Sequence, residues 1–155
     1  MQGLRSALDT VVDFASHKDS RGEFARSLLR GGAGAAVVAE LVRVVGEQGV
    51  EAGGCRETGL GALVNVSMAK ESRHAMYLTP GLETALLRVL NTAPTGSSTL
   101  SLAVKVLRNL SDQGGGDNRA LMFKSGLADL LVGIIRRHAQ VCMPKEPSKC
   151  GKRAV

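Results

Sequence analysis

The chain has no tryptophan, one tyrosine and three phenylalanines, so aromatic residues make up only 3% of its 155 positions. Any core must therefore be aliphatic, built from Leu, Val, Ile, Ala and Met. Long apolar runs are missing too: none reaches the ~18 residues that a membrane-crossing helix needs. The longest stretch, residues 33–45, is broken by Glu40 and Arg43. The N-terminus lacks the apolar block of a signal peptide, and Asp9 and Asp13 argue against a transit peptide. These absences predict no membrane partner and a soluble cytoplasmic protein, with the nucleus as the alternative. Cysteine is scarce: Cys55, Cys142 and Cys150 are an odd count without a CxxC spacing. That excludes a disulfide framework and predicts reduced thiols.

Charge of one sign is also modest. The net charge is +6, and half of it lies in residues 140–155, where Lys145, Lys149, Lys152 and Arg153 face only Glu146. The remaining +3 spread over residues 1–139 is far below the concentrated basic face of a nucleic-acid domain. The organisation expected is one domain over residues 1–139 and a basic tail over 140–155. The tail's Pro- and Lys-rich composition predicts disorder.

Apolar residues are plentiful, at 44%, and they recur. Three stretches share one pattern: "VDFASHKDSR" (12–21), "VNVSMAKESR" (64–73) and "RNLSDQGGGDNR" (108–119). Aligned on Asp13, Asn65 and Asn109, the preceding apolar positions are Leu8, Leu60 and Val104, then Val11, Leu63 and Leu107. The following positions are Phe14, Val66 and Leu110. This is helical spacing. Each run predicts the last turns of a helix, followed by a polar turn. Ser20, Ser72 and Asp117 are then N-cap candidates for a short helix, which carries Phe24 and Leu28, Met76 and Leu78, or Leu121 and Phe123.

A glycine break comes next, at Gly31-Gly32, Pro80-Gly81 and Gly126, as suits a left-handed cap. A longer helix follows: "LVRVV" (41–45), "LLRVL" (86–90) and "LVGII" (131–135) lie 45 residues apart both times. A period in the forties with three helices per unit predicts an all-α helical solenoid, in which stacked neighbours close a continuous core.

At these residues the chain resembles the armadillo repeat. "VLRNLSD" (106–112), "NRALMFKSG" (118–126) and "LADLLVGII" (127–135) fit that family's pattern closely. "LVNVSMA" (63–69), "SRHAMYLTPG" (72–81) and "LETALLRVL" (82–90) fit well, with an extra Pro80, and "VVDFASH" (11–17) with "SRGEFARSL" (20–28) fits loosely. The resemblance covers residues 4–138. It implies a short right-handed α-solenoid of about two full repeats flanked by two partial ones. No polar capping repeat is evident, which implies exposed terminal apolar faces.

The resemblance also implies where a site would lie. In armadillo-like proteins the closing helices line a concave groove for an extended peptide, and the asparagine there bonds the peptide backbone. That makes Asn65 and Asn109 the leading candidates and Asp13 a weaker third. The alternative is that each amide bonds a neighbouring loop and braces the stack, since a buried amide left unpaired costs ~1–3 kcal/mol. One turn earlier stand Asp9, Gly61 and Lys105, where importin-like members carry tryptophan. Its absence argues against reading basic nuclear signals. Lys105 and Arg108 beside Asn109 instead suit an acidic partner segment, with a solvated face as the alternative.

Catalytic patterns are lacking. His17, His74 and His138 are scattered, and no HExxH, nucleophile elbow or P-loop occurs. Gly114-Gly115-Gly116 reads as a flexible turn rather than an anion loop. His138, Cys142 and Cys150 lack the fourth ligand of structural zinc.

The expectation is a non-enzymatic protein-interaction module or scaffold, with no cofactor, metal or small-molecule substrate. Two alternatives stand beside it. The chain could be an interior or terminal fragment of a larger helical-repeat scaffold with no independent site. It could also be a nucleic-acid-associated repeat relying on its basic tail, against which the low body charge and few aromatics weigh.

Overall fold

The computed structural model describes residues 9–13, 15–47, 52–112 and 117–142, with 18–21, 28, 52–53 and 138–142 described by backbone alone. The described residues are all-helical, without a strand. After a helical stretch over 9–13 come α1 (Lys18–Leu29), α2 (Ala33–Gly46) and α3 (Ala52–Ser67). A 3₁₀ turn (Lys70–Ser72) leads into α4 (Arg73–Tyr77), α5 (Leu82–Thr92) and α6 (Ser98–Ser111). Then follow α7 (Asn118–Lys124) and α8 (Leu127–Cys142).

The glycine breaks lie where a left-handed residue is needed. Gly31, Gly81 and Gly126 have φ of 67°, 84° and 79°, a region that costs other residues strain. The cap expectations need correction. Ser20 lies inside α1, because the chain re-enters helix at Lys18 after a bend at His17. Ser72 and Asp117 stand at N-cap positions but accept no side-chain cap bond. The cap that forms is Ser97, whose Oγ accepts from the Leu100 amide at 3.2 Å.

Helices one period apart are neighbours. α3 packs most extensively against α6, α2 packs on α5, and α5 meets α8. Within each unit, α1 packs on α2, α4 on α5 and α7 on α8. The recurrent aliphatic positions close one core: Leu41, Val45, Leu86, Leu90, Leu63 and Leu107 are all buried in it. Each such side chain removed from water contributes about 1.5–3 kcal/mol. Gly59 lets α2 and α3 approach closely, since a Cβ there would sit 3.2 Å from Val45 Cγ2.

Four positions of the expected apolar stripe are exposed, Leu78, Val104, Phe123 and Ile135. Leu78 lies just beyond α4 and is exposed, and Phe123 is 76% exposed while its neighbour Met122 is buried. In so short a helix as α7, a shift of one residue turns a side chain from core to solvent. The end of α2 is held differently: its carbonyls at Val45 and Glu47 accept from Arg56, and Gly46 accepts from Arg88. These guanidiniums satisfy acceptors that a helix end leaves open.

Candidate functional site

The candidate residues occupy the last turns of α3 and α6 and the helical stretch over 9–13. α6 buries Leu100, Ala103, Leu107 and Leu110 at helical spacing. This leaves Lys105 and Arg108 exposed and Asn109 half-buried against α3. Asn109 Nδ2 donates to Ser67 Oγ at 2.9 Å and approaches the Val64 carbonyl at 3.4 Å. This amide therefore braces two packed helices.

Its equivalent, Asn65, is half-buried and takes no side-chain hydrogen-bond partner among the described residues. Lys105 and Arg108 pair with no carboxylate among them. Asp9 and Asp13 are exposed. The Asp13 backbone carbonyl accepts from Ser16 Oγ at 2.7 Å and lies 2.8 Å from His17 Nδ1, so the proton of that contact is on the ring.

Arg108, Asn109, Ser111, Asp112 and Arg119 surround an open cleft of about 630 Å³. The structure thus brings Asn109 and Arg108 together. Lys105 and Asn65 are not among the residues lining that cleft.

Sequence reading missed the polar lattice behind this cleft. Ser72 Oγ donates to the Val66 carbonyl at 2.9 Å, and Asn118 Nδ2 donates to the Leu110 carbonyl at 3.1 Å. Arg73 Nε donates to the Ser67 carbonyl, and Arg119 Nε donates to the Ser111 carbonyl. Both pairs of acceptors, Val66/Leu110 and Ser67/Ser111, lie 44 residues apart. Corresponding bonds thus close the ends of α3 and α6, with Ser72 in one and Asn118 in the other.

Further bonds cross from one unit to the next. Asn118 Nδ2 reaches the Arg73 carbonyl at 3.2 Å, and Asn118 Oδ1 lies 2.8 Å from His74 Nδ1. The buried guanidinium of Arg73 meets Asp112 Oδ2 at 3.1 Å. The signal for this lattice was present as Ser72-Arg73 and Asn118-Arg119. Read as helix openings, those pairs conceal that their side chains point back at the preceding helix.

Electrostatics reinforce the same packing. Hydroxyls of Ser98 and Thr99, at the start of α6, donate to Glu57 on α3, the second at 2.9 Å. They hold the Glu57 carboxyl below its ordinary range. Burial, with Glu83 beside it, pushes the Tyr77 phenol up. On the surface, hydrogen bonding to Arg43 lowers Glu40.

Among the described residues no three His, Cys, Asp or Glu side chains gather as metal ligands. His138, Cys142 and Cys150, the glycine run 114–116 and the tail beyond 142 lie outside the described side chains. No described helix is long and apolar enough to cross a membrane. Comparison with family models, with curated proteins and with solved structures finds no match to this chain. The functional reading therefore rests on its own residues and contacts.

Proposed function

We propose that this chain is a short right-handed α-solenoid of armadillo-like three-helix repeats, and that it is a non-enzymatic protein-interaction module. A partner segment lies along the face formed by α3 and α6. The observation that carries this reading is a double recurrence. Helices one period apart pack on one another, and corresponding side chains bond backbone carbonyls that lie 44 residues apart.

On this face the two asparagines divide the labour. Asn109 is committed to Ser67 and so sets the spacing of α3 and α6. Asn65 keeps both amide groups available for a partner's peptide group, which needs one donor and one acceptor. Lys105 and Arg108, exposed and without a carboxylate partner among the described residues, favour an acidic segment through charge complementarity. Asp9 and Asp13 extend the face towards the N-terminus with the opposite sign.

Site-specific photocrosslinking tests this reading. A crosslinking residue at position 61 or 105 should trap a partner polypeptide from lysate, whereas one at position 88 on α5 should not. Crosslinks from position 88 alone would overturn the assignment of the face.

A further inference from the structure

A second, apolar surface adjoins the cleft beside Asn109 where α6, α7 and α8 meet, and it shares Arg108, Ser111 and Arg119 with that cleft. An apolar groove there is floored by Leu107, Met122, Leu127 and Leu131, and edged by Val104 and Phe123. Its cavity is about 330 Å³. The apolar surface runs well beyond the cavity. Phe123 is 76% exposed, Ile135 66% and Val132 44%. Ala128, Leu131, Val132 and Ile135 recur at helical spacing, so they continue the groove along one side of α8. Soluble proteins rarely leave such a contiguous patch uncovered unless something docks on it.

The charge around the groove selects the occupant. Arg108 and Arg119 line it directly, and neither pairs with a carboxylate among the described residues. Over residues 98–112 and 117–137, six exposed cations stand against three carboxylates, and one of these, Asp112, is held by Arg73.

We infer that this groove docks an acidic amphipathic helix of a partner protein, with apolar side chains in the groove and carboxylates on Arg108 and Arg119. A small molecule would cover the cavity but leave Val132 and Ile135 in water. A second copy docking through the same face would bring its basic rim against this one, a like-charge arrangement that disfavours association. An amphipathic helix supplies anchors at i, i+3, i+4 and i+7, matching a groove built between helices. The two arginines add the bidentate geometry that carboxylates accept. This inference goes beyond the α3–α6 face and stands without it.

The test uses two labelled helical peptides with the same leucine stripe, one Glu-rich and one Lys-rich on the polar face. Fluorescence anisotropy with the full chain should show the Glu-rich peptide binding at least about tenfold tighter. Phe123→Glu, a change at an exposed position, should weaken that binding by about tenfold or more, with unchanged circular dichroism. Arg108→Glu should shift preference towards the Lys-rich peptide. Asn65→Ala, which removes no charge, should leave it unaffected, and this separates the groove from the α3–α6 face. The proposal is overturned if the Glu-rich peptide fails to bind, if the two peptides bind equally, or if Phe123→Glu is without effect. Sedimentation showing a dimer that Phe123→Glu dissolves would also overturn it, by assigning the groove to a second copy.

Discussion

Asn109 Nδ2 lies 2.9 Å from Ser67 Oγ and donates to it, tying the last turn of α6 to the last turn of α3. Ser67 is itself fully buried, and its hydroxyl donates a hydrogen bond to the Val64 carbonyl at 2.7 Å. The pair is thus a short relay between two helices one period apart. Replacing Asn109 with Ala removes the inter-helix donor while Ser67 keeps its own acceptor. The expected loss is about 1 kcal/mol, the net worth of one intramolecular hydrogen bond, read as a lower urea midpoint with an unchanged slope.

Arg73 should matter more. It is only 5% exposed, its Nε donates to the Ser67 carbonyl at 3.0 Å, and its guanidinium reaches Asp112. Arg73→Met keeps much of the apolar stem but removes every donor. Asp112 is mostly exposed and can return to water, so the penalty is smaller than for a fully buried pair. Stability should fall by about 2–3 kcal/mol, the scale of a charge-assisted bond together with a buried carbonyl left unsatisfied. Equilibrium denaturation of Arg73→Met beside Arg73→Lys measures it.

Two glycines on α3 should respond in opposite directions. At Gly59 a Cβ would stand 3.2 Å from Val45 Cγ2 in the fully buried core, so Gly59→Ala should destabilise by about 1 kcal/mol or more through overpacking. Nothing lies within 4 Å of a Cβ at Gly61. Gly61→Ala should stabilise by roughly 0.5–1 kcal/mol by removing a helix-interior glycine. Thermal melts of the two single variants decide this.

Acid should loosen the contact between α3 and α6. Hydrogen bonds from Ser98 and Thr99 lower the Glu57 pKa in the folded state below its ordinary value of 4.5. A depressed carboxylate contributes stability above its unfolded pKa and loses it as pH falls through the folded value. The Glu57 contribution should therefore be complete near neutrality and fade below about pH 4.5. Glu57→Gln should flatten that part of the stability-versus-pH curve, measured by urea unfolding at a series of pH values.

Much of the architecture was legible in the chain, because helical periodicity and glycine breaks are local signals. Leu41, Leu86 and the runs around them are buried as their spacing implies, and Gly31, Gly81 and Gly126 all adopt positive φ. What escaped reading depends on which way a polar side chain turns. Ser72 looks like a cap, yet its hydroxyl donates back to Val66 and Ala69. The pairing of Arg73 with Asp112 spans 39 residues, beyond the reach of any local rule. Asn65 and Asn109 read alike in sequence. They differ in the structure because position 67, facing Asn109 from the preceding unit, is a serine that can accept a bond.

The most direct test of the central claim is affinity capture from nuclease-treated lysate, comparing the native chain with a folded Asn65→Ala/Lys105→Glu variant. The account predicts a protein partner retained by the native chain and lost by the variant, with acidic sequence in the retained segment. Equal retention by both of a partner that Phe123→Glu does not release would contradict it and remove the α3–α6 face as the binding surface.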